Sequence, residues 1–239
     1  MSKIFLPSEA AANWQRLLAQ PKKHWKPSFS AMTLAQCWED ANGLPPEIES
    51  LLSTGRHAAL QKTELLIAIP EFQVKLPGGT RPTQTDVFAL VRGQGGLAAC
   101  AVEGKVDEEF GPTIKDKRRE GAENRMLYLH ELLQIAPKDS GLLRYQLFHR
   151  TAAAVLLAQR FFAPVAVLVV HSFSPTHRWY SDFERFGSAL GVKTQRGRLT
   201  DVGKRDNVQL FIGWAVGDQR FRADLSSSVC QKKNRISPP

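Results

Sequence analysis

Three charged residues interrupt an otherwise apolar stretch of the chain, and their types are suited to holding a cation. Asp86 comes before one run of apolar and β-forming residues, and Glu103 and Lys105 close the next run. Carboxylate oxygens are ligands for hard divalent cations, and an ammonium group beside them can stabilise negative charge that develops in a reaction. This chemistry requires the fold to bring the three side chains together.

A predicted β-hairpin brings them together. The glycine-rich turn Gly93–Gly96 joins the two runs and tolerates positive φ, which favours a tight connection between antiparallel strands. If the residues that flank the turn pair with each other, counting back along both strands places Asp86 directly opposite Glu103. Side chains alternate along a strand, so Lys105 shares the face of Glu103. The register therefore predicts one carboxylate–ammonium cluster.

Both faces of this hairpin are apolar, which predicts a central pair of strands covered on two sides. Charges in such a place must be paired or must hold a metal. A structural ion pair of Lys105 with Asp86 or Glu103 is therefore the alternative to a cation site. One face carries Phe88, Leu90, Ala99 and Ala101, and the other carries Val87, Ala89, Val91, Cys100 and Val102.

The order of Asp86, one strand and turn, and then Glu103-Gly104-Lys105 resembles the PD-(D/E)xK nuclease superfamily, with Thr85 in the place of its usual proline. The resemblance implies hydrolysis of phosphodiester bonds with Mg²⁺ or Mn²⁺. It implies that Asp86, Glu103 and the carbonyl oxygen of Gly104 are metal ligands and that Lys105 is catalytic. Over its whole length the chain also resembles an uncharacterised bacterial family.

A helix predicted over 142–162 places Gln146 and Arg150 on one face, because they are four residues apart. In the RecB-like branch of the superfamily a glutamine on this helix helps line the site, so the resemblance implies that Gln146 is a catalytic residue. Arg150 replaces the aromatic residue of that branch and could bind a phosphate or form a salt bridge to a neighbouring loop. The resemblance also suggests an additional acid on the preceding helix, for which Glu39 is the candidate, and residues 107–109 are expected to form a solvated loop or to add one ligand.

The formal net charge of +9, from 32 Lys and Arg against 23 Asp and Glu, favours a polyanionic partner. We expect nucleic acid, and DNA in particular, to be that partner. The segment 193–205 is predicted to be a basic loop that contacts the phosphate backbone. Its basic residues are Lys193, Arg196, Arg198, Lys204 and Arg205. The alternative function is a nucleic-acid-binding or interaction protein with a catalytically inactive nuclease-like core.

The order of helical and strand patterns predicts one α/β domain over residues 1–225, with its core at about 30–217. We expect a mixed central sheet flanked by helices. The resemblance implies a restriction-endonuclease-like α-β-β-β-α-β core. A helix predicted over 120–135 leaves a homodimer contact open, and residues 226–239 are predicted to form a flexible basic tail.

Other classes of site and location have no support in the sequence. The three cysteines are far apart and form no Cys-x-x-Cys or Cys/His cluster, so neither a disulfide scaffold nor a zinc site is indicated. Cys37 and Cys100 are expected to be small buried apolar residues, and His171 is expected to form a hydrogen bond at the end of a strand. No signal peptide and no apolar run long enough to span a bilayer is found, so we expect a cytoplasmic protein.

Overall fold

The computed structural model describes residues 10–117 and 123–225. The helices are α1 (Pro21–His24), α2 (Ser30–Ala41), α3 (Pro46–Ser53), α4 (Glu123–Leu133), α5 (Tyr145–Arg160) and α6 (Tyr180–Ala189). The strands are β1 (Glu64–Val74), β2 (Thr83–Gly93), β3 (Gly96–Lys105), β4 (Val165–Ser172), β5 (Leu199–Arg205) and β6 (Val208–Val216). The predicted tail, 226–239, lies outside the described residues, as do the first residues of the helix predicted over 120–135.

All six strands form one mixed sheet in the order β1-β2-β3-β4-β6-β5. Strands β3, β4 and β6 are mutually parallel, and β1, β2 and β5 run antiparallel to their neighbours. Helices cover both faces, so the predicted mixed α/β sheet flanked by helices is confirmed. One domain over 1–225 and a homodimer contact stay predictions. No helix in the described part of the chain has the length and apolar character needed to cross a membrane.

The predicted register of the hairpin is confirmed. Strands β2 and β3 pair from Gly93 with Gly96 to Val87 with Val102. The residues that face one side of this hairpin belong to a core with α4, α5 and α6, which we call the α5 core, and those on the other side belong to a core with α2 and α3, the α2 core. The sheet is therefore buried on two sides, as the apolar runs indicate.

Strand β4 lies at the centre of the sheet, and its eight residues are all buried. Its apolar residues 165–170 pack alternately into the two cores, which is typical of a parallel strand covered on two faces. The register pairs Glu103 with Val170 and Gly104 with His171. Val170 faces the α5 core, so Glu103 faces it as well, and His171 faces the α2 core.

Strand β1 lies at an edge of the sheet, where Pro70 is tolerated although proline cannot donate a hydrogen bond within a sheet. The next residue, Glu71, has a φ of 52°, an uncommon left-handed conformation for a residue with a side chain. The pairs on either side of it are Pro70 with Val87 and Phe72 with Thr85. Glu71 therefore lies level with Asp86 on the neighbouring strand.

The prediction of a basic loop over 193–205 is wrong for its second half. Residues Leu199–Arg205 form β5, which pairs antiparallel with β6. Arg205 is only 6% exposed, and its guanidinium donates to the carbonyl oxygens of Leu133, Val202 and Lys204. Leu133 is the last residue of α4, and a cation at the C-terminus of a helix is favourable because of the helix dipole.

Candidate active site

The predicted cluster lies at the carboxyl end of β3, on the face that α5 covers. The backbone N–H of Gly104 donates to Asp86 Oδ2 at 2.8 Å, so the side chain of Asp86, near the start of β2, contacts the Glu103–Lys105 segment. Glu103 and Lys105 are 2% and 4% exposed. The fold thus brings Asp86, Glu103 and Lys105 together on one surface of the sheet.

Glu103 is the centre of the cluster because three side chains donate to its carboxylate. Lys105 Nζ and Gln146 Nε2 donate to Oε1 at 2.7 and 2.6 Å, and Arg150 Nε donates to Oε2 at 2.6 Å. Lys105 Nζ also donates to Gln146 Oε1 at 3.1 Å, which fixes the amide of Gln146 between the two charges. Gln146 therefore belongs to the cluster, where the resemblance to the RecB-like branch places it.

Arg150 forms ion pairs with both Asp86 and Glu103. Its Nη1 donates to Thr83 Oγ1 at 2.9 Å, and its Nη2 lies 3.5 Å from Asp86 Oδ1. With its Nε on Glu103, the guanidinium spans both carboxylates and is 8% exposed. The guanidinium is thus buried among the acids and forms its ion pairs with residues of the strands rather than with a neighbouring loop, whereas a contact with a phosphate stays a prediction.

Sequence reasoning missed a third acid, Glu71. Gln84 Nε2 donates to Glu71 Oε2 at 2.6 Å, which holds the carboxylate beside Asp86. Burial and the proximity of Asp86 raise the pKa of Glu71 to about 8. Its only signal in the sequence is an acid after a strand-breaking proline, and that signal carries no information on register.

The electrostatics of the cluster separate its acids into two groups. Burial and the charge of Glu103 raise the pKa of Asp86 to about 7. Burial alone would also raise the pKa of Glu103, but the charges of Lys105 and Arg150 outweigh it and hold this pKa below its ordinary value. Glu103 is thus ionised, whereas Asp86 and Glu71 remain partly protonated near neutral pH. Three carboxylates share two cations, so the cluster favours further positive charge.

A cleft of about 760 Å³ opens onto these acids. Its walls include Gln20 and His24 near α1, the start of α2, and the segment from Glu108 to Pro112. Phe110 forms the floor beside Lys105, whose Nζ lies 4.9 Å from the centre of the ring. His149 also lines the cleft, and burial together with the charge of Arg150 lowers its pKa well below the ordinary value. The imidazole is therefore neutral at physiological pH.

Glu39, the candidate for an additional acid, has a partner that does not line the cleft. Trp14 Nε1 donates to Glu39 Oε1 at 2.7 Å, and Glu39 is absent from the lining of the cleft. The acids of 107–109 also have other partners. Glu108 accepts from the backbone N–H groups of Ser30 and Val106, and so caps the first turn of α2. Asp107 pairs with Arg222, and Glu109 pairs with Arg144.

The basic residues of 193–205 divide between two ends of the sheet. Lys193, Arg196 and Arg198 are exposed, and Arg196 bridges to Trp214 near the carboxyl end of β6. Lys204 pairs with Gln209 at the opposite, amino end of that strand, and Arg205 is buried. Only Lys193, Arg196 and Arg198 therefore lie toward the end of the sheet where the acids lie, and they are separated from β3 by two strands.

A second polar cluster lies in the α2 core. Cys37, Glu47 and His171 each offer one ligand atom, and these atoms lie within 4.8 Å of one another. His171 Nε2 is 2.8 Å from Glu47 Oε1, which confirms the expected hydrogen bond at the strand end. Cys37 is buried as expected, but its thiol donates to Glu47 Oε1 at 3.4 Å, so it is not merely a small apolar residue.

The chain belongs to the family described as Domain of unknown function (DUF6946), whose model matches residues 7–219. The matched range contains every strand of the sheet and both polar clusters. Searches of curated proteins and of solved structures found no match.

Proposed function

We propose that this protein is a nuclease that hydrolyses phosphodiester bonds of nucleic acid, DNA in particular, with Mg²⁺ or Mn²⁺. The observation that carries the proposal is the convergence of Asp86 and Glu103 from two paired strands, with Lys105 on the same surface. The order of α2 and α3, β1 to β3, α5 and β4 supports a restriction-endonuclease-like core of the α-β-β-β-α-β kind.

The residues of the cluster fit a hard divalent cation. The atoms that Asp86, Glu103 and Glu71 offer to a metal are all carboxylate oxygens, which Mg²⁺ and Mn²⁺ prefer as ligands. The raised pKa values of Asp86 and Glu71 support this fit, because a nearby cation favours the ionised form of both groups. Asp86, Glu103 and the carbonyl oxygen of Gly104 would hold the ion, and Glu71 lies level with Asp86 on the neighbouring strand.

The roles of the side chains follow from their charges and contacts. A bound divalent ion would offset charge on the scissile phosphate and make a bound water more acidic. Lys105 lies beside Glu103 and would orient the attacking water or stabilise the negative charge of the transition state. Gln146 positions Lys105 and Glu103, since it bonds to both. Arg150 neutralises Glu103 and Asp86 and so allows the acids to be buried together.

The net charge of +9 supports a polyanionic substrate, because phosphate contacts dominate the affinity of proteins for nucleic acid. On the wall of the cleft, Lys117 lies over the ring of Tyr145 and could meet a phosphate at the entrance. The exposed Lys193, Arg196 and Arg198 could extend this contact along the sheet end.

One observation favours a second candidate, a nucleic-acid-binding or interaction protein with an inactive core. Both oxygens of Glu103 already accept charged or amide donors, and Lys105 and Arg150 supply two positive charges to the cluster. A cluster neutralised in this way could be structural. The two functions differ in one respect, because only the nuclease requires a divalent cation.

The test is cleavage of plasmid and single-stranded DNA by the purified full chain with Mg²⁺, Mn²⁺ or EDTA. We expect cleavage with either metal, none with EDTA, and a loss of at least about 100-fold for Asp86→Asn and Lys105→Met, since each removes a charge that acts in the transition state. Glu64→Gln is the matched control, because it removes an exposed carboxylate that pairs with Arg92 at the far end of the sheet. DNA binding without metal-dependent cleavage would instead establish the inactive-core function.

A further inference from the structure

Three elements far apart in the sequence bring a thiol, a carboxylate and an imidazole together behind the acids. Cys37 lies on α2, Glu47 lies in the first turn of α3, and His171 lies near the end of β4. His171 pairs in register with Gly104, the residue between Glu103 and Lys105, but its side chain faces the α2 core. The cluster therefore lies on the opposite face of the sheet from the proposed active site.

The three side chains already have the spacing of ligands around one ion. Their ligand atoms lie within 4.8 Å of one another, and Glu47 Oε1 is the partner of both the thiol and the imidazole. Cys37 and His171 are 2% and 0% exposed, and the side chain of Glu47, at 19%, connects the cluster to the surface. An ion could therefore enter past Glu47 without unfolding the core.

The donor types select the class of ion. A thiolate and an imidazole are poor ligands for Mg²⁺ but good ligands for Zn²⁺, which binds mixed sulfur, nitrogen and oxygen donors in a tetrahedral arrangement. Three protein ligands leave the fourth position for a water molecule. The thiol must lose its proton on binding, which a metal drives even where burial disfavours the thiolate.

The imidazole of His171 presents Nε2 to the other two groups, at 2.8 Å from Glu47 Oε1. Its Nδ1 is buried and has no hydrogen-bond partner among the described residues. A metal binds an imidazole that carries a single ring proton. Metal at Nε2 would move the single proton to Nδ1. The cost of that one unpaired N–H is small compared with the free energy with which such donor sets bind Zn²⁺.

A glycine, Gly217, keeps the space beside His171 Nε2 open. A Cβ atom at Gly217 would lie 3.0 Å from His171 Nε2 and 2.5 Å from the ring of Phe173. Any larger residue at this position would crowd the nitrogen that faces Glu47. The backbone at 217 is tied to β4 by its N–H, which donates to the carbonyl oxygen of Ser172 at 2.8 Å.

We propose that Cys37, Glu47 and His171 form a Zn²⁺ site that clips α2 and α3 to the end of β4. The site is independent of the proposed nuclease activity, since it uses different residues, a different class of donor and the opposite face of the sheet. The ion stabilises the helical layer behind Gly104.

The experiment is a Co²⁺ titration of the metal-free full chain, followed by absorption spectroscopy. Co²⁺ takes the same donors as Zn²⁺ and reports a bound thiolate by an intense charge-transfer band in the near ultraviolet. We expect this band to saturate at one Co²⁺ per chain and to disappear when one equivalent of Zn²⁺ is added. Zn²⁺ should also raise the melting temperature.

Two variants and two controls complete the test. Cys37→Ser should remove the band and the thermal shift, and Glu47→Gln should weaken Zn²⁺ binding by at least about 10-fold, as loss of one ligand does. Cys100→Ser and Cys230→Ser alter the other two cysteines and should keep the band. Glu47→Gln changes a partly exposed residue, so it tests the site even if Cys37→Ser does not fold. A wild-type chain without the band, or a band that survives in Cys37→Ser or is lost in both controls, would overturn the proposal.

Discussion

The two polar clusters lie back to back near the carboxyl ends of the neighbouring strands β3 and β4, and their chemistry differs. Glu103 with its neighbours carries five ionisable side chains and opens into a cleft, whereas Cys37, Glu47 and His171 form a nearly sealed group of mixed donors. Side chains of successive residues in β3 and β4 point to opposite faces, so the single layer of the sheet separates the two clusters. A central parallel strand pair can therefore support two unrelated sites without any insertion.

The clusters also differ in how their charges are balanced. On the α5 side, three acids are balanced by two cations, and two of the acids have raised pKa values. On the α2 side, burial would raise the pKa of Glu47, but the hydrogen bond from His171 and its charge lower it overall. The first cluster favours additional positive charge, whereas in the second the carboxylate of Glu47 already has the thiol of Cys37 and the imidazole of His171 as hydrogen-bond partners.

The largest expected effect comes from Arg150, the counter-ion of the first cluster. Arg150→Met leaves Glu103 and Asp86 with one cation fewer, and breaking a buried ion pair in this way costs about 3–5 kcal/mol of unfolding free energy. Urea denaturation measures it. The control is Arg92→Met, which breaks an exposed pair with Glu64 and should cost less than about 1 kcal/mol. Equal losses of unfolding free energy in the two variants would contradict the expectation that the buried ion pairs of Arg150 stabilise the fold more than an exposed pair does.

The second prediction concerns pH. The pKa of Asp86 rises from 3.8 in the ordinary state to about 7, and that of Glu71 rises from 4.5 to about 8. Between roughly pH 4 and 8 the folded chain thus binds more protons than the unfolded chain, so these groups lower stability as pH rises. Glu71→Gln should flatten this loss of stability with rising pH in denaturation curves, and Mg²⁺ should reduce the loss in the wild type. A steeper loss in the variant would contradict the assignment.

Glu47 should show the opposite sign. Because its pKa is lowered in the folded chain, it contributes stability that is present above its ordinary pKa of 4.5 and is lost as pH falls through the folded value. Glu47→Gln should therefore reduce the dependence of stability on pH at the acid end while leaving unchanged the loss that Asp86 and Glu71 cause as pH rises. Denaturation curves of Glu47→Gln and Glu71→Gln over the same pH range compare the two faces directly.

A smaller effect is expected from Gly217→Ala. Its new Cβ would meet the ring of Phe173 at 2.5 Å, and crowding of this kind costs about 1–3 kcal/mol. The damage should be confined to the α2 side, so DNA cleavage by the folded variant should persist while binding of Zn²⁺ or Co²⁺ weakens. Parallel losses of both readouts would show that the sheet does not isolate the clusters.

The smallest effect belongs to Glu39, which bonds to Trp14 away from the cleft. Glu39→Gln keeps a group that can accept this bond, so unfolding free energy should change by less than about 1 kcal/mol and the rate of metal-dependent cleavage should stay within about twofold of the wild type. Glu71→Gln, the matched change within the acid cluster, should reduce the rate further. A slower Glu39→Gln would restore the acid on the helix to the site.

The parts of the fold that follow from local patterns could be predicted from the sequence. The short turn Gly93–Gly96 fixes the register of the hairpin, and the register alone places Asp86, Glu103 and Lys105 on one face. The continuous apolar run Val165–Val170, which is rich in valine, identifies the central strand from its local sequence alone. In each case only nearby residues determine the result.

The missed features depend on contacts between distant segments. Glu71 reaches Asp86 through a longer connection between β1 and β2, where no tight turn fixes the register, and through a backbone conformation unusual for glutamate. Cys37 and His171 are brought together only when α2 packs on β4. The basic segment 193–205 has the composition of a loop, but pairing with β6 makes half of it a strand and buries Arg205.

The alternation along β3 also limits how the length of this strand can change in relatives of this chain. One residue gained or lost within 97–102 would turn the side chains of Glu103 and Lys105 to the opposite face of the sheet. Both charges would then be buried in the α2 core, near the aromatic rings of Phe173 and Trp38. A change of two residues would restore their orientation. Viable length variants of this segment should therefore differ by even numbers.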